Sequence, residues 1–272
     1  MPKVLFIGDI VGRPGREFVI KTLPELRSKL GLDLIIANAE NSAGLAGITA
    51  TIANDLAQAS VDGITLGDHV WDQRGFSEDI KKLDFVCRPA NLPRICPGHD
   101  HLILKCKNFR VAVFTLLGRT FMKLKAECPF LTADHMIEKI GNNADAIIVE
   151  IHAEATSEKV ALGRYLDGRV AMVVGTHTHI PTADGCILPH GTAYLTDAGM
   201  TGPYDSVLGT DVQTIIDQFL DGMPRRYTVA KNDIRLCGCI VNINEKTNLA
   251  SNFETVCIRD EHACKVEETK EV

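Results

Sequence analysis

Short apolar runs alternate with segments of helical periodicity along the first two thirds of the chain. Residues 3–7 are apolar β-formers ending in Gly8-Asp9, and residues 14–30 then carry apolar side chains at helical spacing, closed by Gly31. The same order predicts strands at 33–37, 63–66, 110–116, 146–151 and 170–174, and helices at 49–59, 133–140 and 157–166. Near-continuous apolar strands are typical of a sheet covered on both faces.

The pattern changes after residue 174 to short strand candidates separated by Gly, Pro and Asp. These candidates are 186–188, 192–196, 227–229 and 234–243, and the proline-containing stretch 85–104 is predicted as a surface loop or crossover. We therefore predict one α/β domain over residues 1–260, a four-layer α-β-β-α sandwich, followed by a charged, frayed tail at 261–272.

Composition narrows the class of protein. The 272 residues are 45% hydrophobic and 24% charged, which excludes intrinsic disorder and coiled coil. A formal net charge of −6 leaves no basic groove for a long nucleic acid. No apolar run approaches the about 20 residues of a membrane-spanning helix, and no cleavage site follows the N-terminus. We expect a cytoplasmic protein without a membrane partner.

Nine cysteines, an odd number scattered through a large chain, favour reduced thiols. Cys237 and Cys239 lie in a predicted strand, which puts both sulfurs on one face. Ordinary core packing is the favoured interpretation of this pair, with a zinc or redox role as the alternative.

Polar residues with metal-binding side chains follow the predicted strands at their carboxyl ends. They are Asp9, Glu40, Asn41, Asp68, His69, His152, His177 and His179. Taken singly, each is equally explained as a cap, a turn residue or a satisfied core histidine. Because ligands bind outside the carboxyl ends of α/β strands, one binuclear metal site explains all of them together. Carboxylates and imidazoles without cysteine suit Fe, Mn or Zn.

Six short motifs occur in a fixed order between Lys3 and about Gly209. They are residues 6–12 (FIGDIVG), 39–41 (AEN), 66–72 (LGDHVWD), 151–159 (IHAEATSEK), 175–179 (GTHTH) and 196–203 (TDAGMTGP). In this order they resemble the YmdB-like bacterial branch of the calcineurin-like metallophosphoesterases. The resemblance implies a calcineurin-like fold and a two-metal phosphodiesterase acting on 2′,3′-cyclic nucleotides. It also implies iron or manganese, in preference to zinc or magnesium.

The resemblance also implies roles for single residues. Asp9, Asn41 and His179 would hold one metal, Asp68, His152 and His177 the other, and Glu40 would bridge them. A hydroxide shared by the metals would attack phosphorus. His69 would act as the catalytic proton donor to the leaving ribose oxygen.

One position departs from the family, which has Asn where this chain has Asp68. The extra negative charge should weaken the metals as Lewis acids, so we expect the metals to be retained and turnover to be lower or the metal preference to be shifted. Arg119 and Phe121 follow a predicted strand and are substrate-binding candidates, for a phosphate and a base, or loop-packing residues. Asp197 and Asp205 are candidates for orienting the ligating histidines.

The leading hypothesis is a binuclear-metal phosphodiesterase acting on small nucleotide phosphodiesters or short RNA. The alternative is a metal-bearing regulatory or RNA-associated protein with weak turnover, which Asp68 favours. The third hypothesis is a phosphomonoesterase or nucleotidase. The oligomeric state, a homo-oligomer included, stays open.

Overall fold

Two β-sheets form the frame of this protein in a computed structural model, which describes residues 1–260. The first sheet contains β1 (Lys3–Ile7), β2 (Asp9–Ile10), β3 (Leu34–Asn38), β4 (Gly63–Thr65), β5 (Val86–Cys87), β12 (Met200–Pro203), β13 (Ile234–Ile243) and β14 (Ala250–Arg259). The second contains β6 (Leu102–Cys106), β7 (Phe109–Leu117), β8 (Ala146–His152), β9 (Met172–Thr176), β10 (Cys186–Ile187) and β11 (Ala193–Leu195). The chain is thus a mixed α/β protein, as the hydrophobic pattern predicts.

Helices connect the strands and begin and end at recognisable signals. They are α1 (Gly12–Leu30), α2 (Ala50–Gln58), α3 (Phe76–Asp79), α4 (Pro129–Ile140), α5 (Thr156–Tyr165) and α6 (Val212–Asp221), with 3₁₀ turns at Ile80–Lys82 and Gly141–Asn143. Helix α1 ends where Gly31 adopts a left-handed φ of 62°. The side chains of Thr49 and Asp211 cap the first turns of α2 and α6.

The strands that lead to the polar positions run parallel. In the first sheet β1, β3, β4 and β5 are parallel neighbours, and β13 pairs antiparallel with β1. In the second sheet β7, β8, β9 and β11 are parallel, while β6 and β10 pair antiparallel at the two edges. The carboxyl ends of parallel strands therefore meet at one edge of each sheet.

Apolar side chains from the two sheets pack together, and the helices cover other faces of the same strands. Phe6 of the first sheet belongs to one cluster with Val113 and Met172 of the second. Its neighbours Leu5 and Ile7 belong to a different cluster, shared with α1 and α2. A third cluster joins α4 and α5 to the second sheet. Because successive strand residues point to opposite faces, both faces of β1 are buried, which explains its uninterrupted apolar run.

Most predicted elements form within one or two residues of their expected ends, and 234–243 matches β13 at both ends. The predicted strand at 227–229 is wrong, because only an isolated bridge between Val229 and Thr210 forms there. Helices α3 and α6 and strands β2, β12 and β14 lack predictions, and α4 begins at Pro129, before its predicted start at residue 133. The stretch 85–104 contains β5 and the start of β6 in addition to loops. The tail predicted at 261–272 lies outside the described residues. None of the helices in residues 1–260 combines the length and the hydrophobicity needed to cross a bilayer.

Candidate metal centre

The two sheets bring their polar strand ends to one place. The first sheet supplies Asp9 on β2, Glu40 and Asn41 after β3, and Asp68 after β4, while the second supplies His152 at the end of β8 and His177 and His179 after β9. Carboxylates from one sheet thus face imidazoles from the other. All seven side chains predicted as ligands lie in this cluster, linked through the contacts below.

One half of the cluster centres on His152. Its Nε2 lies 3.0 Å from Glu40 Oε1 and 3.0 Å from Asp68 Oδ1. His177 Nδ1 lies 3.3 Å from the same Asp68 oxygen and 3.0 Å from His152 Nε2. The candidate ligand atoms of these four residues all lie within 4.8 Å of one another. Two imidazole nitrogens and two carboxylates at this spacing can converge on one cation.

The other half contains two buried oxygen atoms that have no hydrogen-bond partner among residues 1–260. His179 Nε2 lies 3.7 Å from Asp9 Oδ2 and 3.1 Å from Asn41 Nδ2. Asp9 Oδ1 and Asn41 Oδ1 are buried and have no hydrogen-bond partner among residues 1–260. An unpaired buried oxygen is costly, and a bound cation would satisfy both atoms. The residues present therefore fit a metal on this side too.

The ionisation of these groups reflects burial together with a surplus of negative charge. Burial raises the pKa of Asp9 well above its usual range. Burial opposes protonation of His152, yet the charge of Glu40 and hydrogen bonds to Asp68 and Glu40 raise its pKa. Burial also disfavours the ionised form of Asp68, but hydrogen bonds with His152 and His177 lower its pKa well below the usual range. The carboxylates thus attract a positive charge to this point, which a metal ion can supply.

His69 lies beside the ligand cluster. Its backbone N–H donates to Glu40 Oε2 at 3.0 Å, and its Nδ1 lies 2.7 Å from Asp72 Oδ2. Partial burial opposes the charged ring, but the charge of Glu40 and the hydrogen bond with Asp72 raise the pKa of His69. A protonated imidazole at the edge of a metal cluster is suited to donate a proton.

A cavity of about 450 Å³ opens over His69 and the half of the cluster that contains Asp68 and His177. It is lined by Asp68, His69, Phe121, Met122, Lys123, Glu154 and His177. The Phe121 side chain is 84% exposed on its wall. Arg119 is exposed on the same loop, where its backbone N–H donates to Glu158, and it is not among the lining residues.

Sequence reasoning missed a buried carboxylate that orients His152. Glu150 accepts hydrogen bonds from Asn38 Nδ2, from Thr115 Oγ1 at 2.7 Å and from Thr176 Oγ1 at 2.6 Å. Thr176 Oγ1 also lies 2.9 Å from His152 Nδ1. This network fixes the ring so that Nε2 faces Glu40 and Asp68. A glutamate within the apolar strand 146–151 was the available signal.

A buried ion pair supports the loop of the other two histidines. Lys159 Nζ donates to Asp197 Oδ2 at 2.7 Å and to the Thr176 carbonyl at 2.6 Å. The same Asp197 oxygen accepts from the backbone N–H and the hydroxyl of Thr178. His177 and His179 have positive φ values of 95° and 65°, so this loop needs such support.

Asp197 therefore acts on the histidine loop as expected. Asp205, the other candidate for orienting a histidine, instead accepts a hydrogen bond from Asn232 at 3.3 Å.

Comparison with known proteins gives consistent matches over almost the whole chain. Residues 5–256 match the model of the YmdB-like protein family. The chain is 45% identical to a 2′,3′-cyclic-nucleotide 2′-phosphodiesterase of Bacillus subtilis, covering 96% of this chain and 98% of that protein. A crystal structure of a hypothetical protein from Thermus thermophilus has a TM-score of 0.89 and 37% identity, covering 95% and 99% of the two chains. A novel phosphatase from Mycoplasma pneumoniae has a TM-score of 0.88 and 33% identity, covering 98% and 97%.

Proposed function

This chain belongs to the YmdB-like protein family, and we propose that it is a metal-dependent phosphodiesterase that hydrolyses 2′,3′-cyclic nucleotides at a centre of two metal ions. The observation that carries the proposal is the convergence of carboxylates from one sheet and imidazoles from the other. The name of the Bacillus subtilis relative, 45% identical over 260 residues, supports the substrate class.

The proposed ligands follow the two halves of the cluster. Asp9, Asn41 and His179 would hold one metal, and the unpartnered buried oxygens of Asp9 and Asn41 support this assignment. Asp68, His152 and His177 would hold the other, and Glu40 would bridge the two. Glu40 suits that role because its Oε1 contacts both His152 Nε2, at 3.0 Å, and Asn41 Nδ2, at 3.3 Å.

The chain's own groups account for orientation and proton transfer. When bound, two cations supply an activated water nucleophile and neutralise the charge on the phosphoryl group. Asp72 holds Nδ1 of His69, which leaves Nε2 to donate a proton to the departing ribose oxygen. The hydrogen bond between Asp72 and Nδ1 favours the protonated form of His69, as this role requires.

The cavity over the cluster supports a small nucleotide or a short RNA end as substrate. Its volume of about 450 Å³ is within the range of small-molecule sites. We propose that Phe121 stacks on the base. Its ring is exposed on the cavity wall, and nucleotide bases stack on exposed aromatic rings. Arg119 is proposed to approach a phosphate from the same loop.

The proposal extends to the metal, the domain and the arrangement of layers. We propose iron or manganese, because imidazole and carboxylate ligands without thiolate suit both and the resemblance to the metallophosphoesterases favours them over zinc. One metallophosphoesterase domain over residues 1–260 is proposed, with layers in the order helix, sheet, sheet, helix. Three core clusters support that order, one shared by the two sheets and one on the helix side of each.

A second candidate function is a metal-bearing regulatory or RNA-associated protein with weak turnover. The carboxylate of Asp68, where the family has Asn, is the observation that favours it, because its charge repels an incoming phosphate.

Metal analysis coupled to a phosphodiester panel tests the proposal. The purified chain is assayed for bound metal and for hydrolysis of 2′,3′-cyclic AMP, bis-p-nitrophenyl phosphate and p-nitrophenyl phosphate, before and after chelation and with manganese or iron restored. We expect about two metal ions per chain, chelation-sensitive hydrolysis of both diesters, and little action on the monoester.

Matched histidine variants complete the test. His179→Ala should lose metal and activity, whereas His190→Ala, which removes an exposed histidine paired with Asp167, should keep both. His69→Ala should keep metal and lose about 10²–10⁴-fold in kcat. Full metal occupancy with turnover too slow to measure would favour the second candidate function. Preferred hydrolysis of the monoester would contradict the assignment as a phosphodiesterase.

A further inference from the structure

Two cysteines on neighbouring strands have their sulfur atoms in contact. Cys237 on β13 and Cys257 on β14 lie directly opposite each other in the antiparallel register. Their Sγ atoms are 3.6 Å apart, and both are free thiols. Cys237 is buried and Cys257 is exposed. Cys239 lies two residues after Cys237 on β13, but its sulfur is 3.8 Å from the sulfur of Met172.

Backbone hydrogen bonds define which kind of cross-strand pair this is. The N–H of Cys237 donates to Thr201 Oγ1 at 3.2 Å, and its carbonyl accepts from Gly8 N–H at 2.9 Å. Both groups therefore point away from β14. Cys237 and Cys257 form a non-hydrogen-bonded pair, in which opposed Cα atoms lie about 4.5 Å apart. A disulfide accommodates Cα separations of about 4.4–6.8 Å, so the strands need little movement to accept one.

The surroundings give the two sulfurs different access. Tyr204 lies with its hydroxyl 3.0 Å from Cys237 Sγ, and the Arg235 guanidinium covers the tyrosine ring at 4.5 Å. Burial raises the pKa of the Cys237 thiol and shields this sulfur from solvent. An oxidant in solution therefore meets Cys257 first, with Cys237 already in position behind it.

We propose that Cys237 and Cys257 are a redox-modification site, a dithiol that a peroxide oxidises to a cross-strand disulfide. The Cys257 sulfur attacks the peroxide, the O–O bond breaks, and a sulfenic acid and one water form with hydrogen peroxide as oxidant. The Cys237 sulfur then attacks the Cys257 sulfur, the S–O bond breaks, and the hydroxyl leaves as a second water with the Cys237 proton. The two sulfurs lose two electrons and the peroxide gains two, and a dithiol reductant reverses the reaction.

The position of the pair connects it to the metal centre through the backbone. The carbonyl of Cys237 holds the N–H of Gly8, which directly precedes Asp9. The disulfide would tie β14 covalently to the strand on which this hydrogen bond depends. The proposal itself concerns the thiols and is independent of the activity proposed above.

Tryptic mapping tests the site, because trypsin separates the two cysteines into peptides 236–246 and 247–259. The full-length chain is treated with hydrogen peroxide, remaining thiols are alkylated, and the protein is digested without reduction. We expect the two peptides to be linked, with fragment masses that assign the bond to Cys237 and not to Cys239. Dithiothreitol should separate them.

Variants make the result specific. Cys257→Ser, at an exposed position, should abolish the linked peptide. Cys186→Ser removes a different exposed cysteine and should leave the linked peptide unchanged, as should Cys239→Ala. Circular dichroism of each variant checks that it folds. Sulfinic or sulfonic acid on Cys257 without linkage, a bond to Cys239, or no oxidation of either thiol would overturn the proposal.

Discussion

Asp68 stands where the resemblance to the metallophosphoesterases predicts an asparagine. Its carboxylate lies 3.0 Å from His152 Nε2 and 3.3 Å from His177 Nδ1, so it is placed to bind metal with an oxygen atom as Asn would. What changes is charge, because an ionised carboxylate opposes an approaching phosphate more than an amide does.

Asp68→Asn should therefore raise kcat/KM on a 2′,3′-cyclic nucleotide, by up to about tenfold or about 1.4 kcal/mol of activation free energy. Bound metal should stay the same, because the amide oxygen replaces the carboxylate oxygen. Steady-state kinetics and metal analysis on the same preparation measure both. A large loss of rate would mean that the carboxylate is required for activity.

Lys159 makes a second residue-level prediction because its ion pair with Asp197 is fully buried. Lys159→Met leaves Asp197 buried without its cation, and we expect a loss of about 3–5 kcal/mol in the free energy of unfolding, measured in urea. Lys107→Met removes the exposed pair with Asp33 and should cost far less, because solvent screens an exposed ion pair. Equal losses in the two variants would refute the support assigned to this pair.

At the scale of elements, the turn after β4 shows how closely the ligands approach the backbone. A Cβ atom at Gly67 would overlap the Glu40 carboxylate and the His152 ring. Gly67→Ala should therefore reduce bound metal and activity together, as metal analysis and a diester assay would show. At Gly63 on β4 the added methyl would meet only the ends of Leu104 and Leu102, at 3.0 and 3.2 Å, so Gly63→Ala should keep its metal. Full metal occupancy in Gly67→Ala would contradict the close approach.

The start of β13 gives a pH-dependent prediction. Hydrogen bonds from Arg235 lower the pKa of Asp233, and the charge of Arg259 acts in the same direction. Because the folded-state pKa lies below the unfolded value of about 4, the ionised carboxylate stabilises the fold above that pH, and the stabilisation is lost as pH falls through the folded-state pKa.

Asp233→Asn should accordingly lower the free energy of unfolding by up to about 1 kcal/mol near neutral pH. The difference from the unaltered chain should shrink below about pH 4. Urea unfolding at the two pH values measures it, and an unchanged difference in acid would disprove the ion pair's contribution.

At the scale of the whole molecule, the candidate metal centre lies where the two sheets meet and takes residues from both. The first sheet supplies Asp9, Glu40 and Asp68, and the second supplies His152 and the His177 loop. A cation bound by both should stabilise their packing in addition to serving catalysis, since a ligand that binds only the folded chain shifts the unfolding equilibrium.

Chelation should therefore lower the melting temperature. Metal at about 100 times its dissociation constant contributes about 2.7 kcal/mol, which corresponds to roughly 5–10 °C for a chain of this size. Differential scanning calorimetry with and without a chelator measures the change, and His179→Ala should show a smaller one. A chelated protein that has lost its metal and melts at the same temperature would exclude a stabilising role.

The local pattern of apolar and polar residues determined most of the secondary structure of this protein. Apolar runs and helical spacing predicted most strands and helices of the first two thirds, because burial on both faces leaves a direct trace in sequence. Strand β14 lacked such a trace, since all of its residues are exposed or half-buried and its apolar residues are interrupted by polar ones such as Glu254 and Thr255. Strand ends followed by Asp, Glu or His predicted the set of candidate ligands.

Only the tertiary structure decided which distant groups meet. Cys237 faces Cys257 and not its sequence neighbour Cys239, because the register of β13 against β14 sets that contact. Glu150 and Lys159 support the histidines because both are buried next to Thr176. Glu150 accepts a hydrogen bond from the Thr176 hydroxyl, and Lys159 donates one to the Thr176 carbonyl. Sequence fixes which chemical groups end each strand. Their contacts and the solvent left around them depend on how the two sheets pack, and no local pattern carries that information.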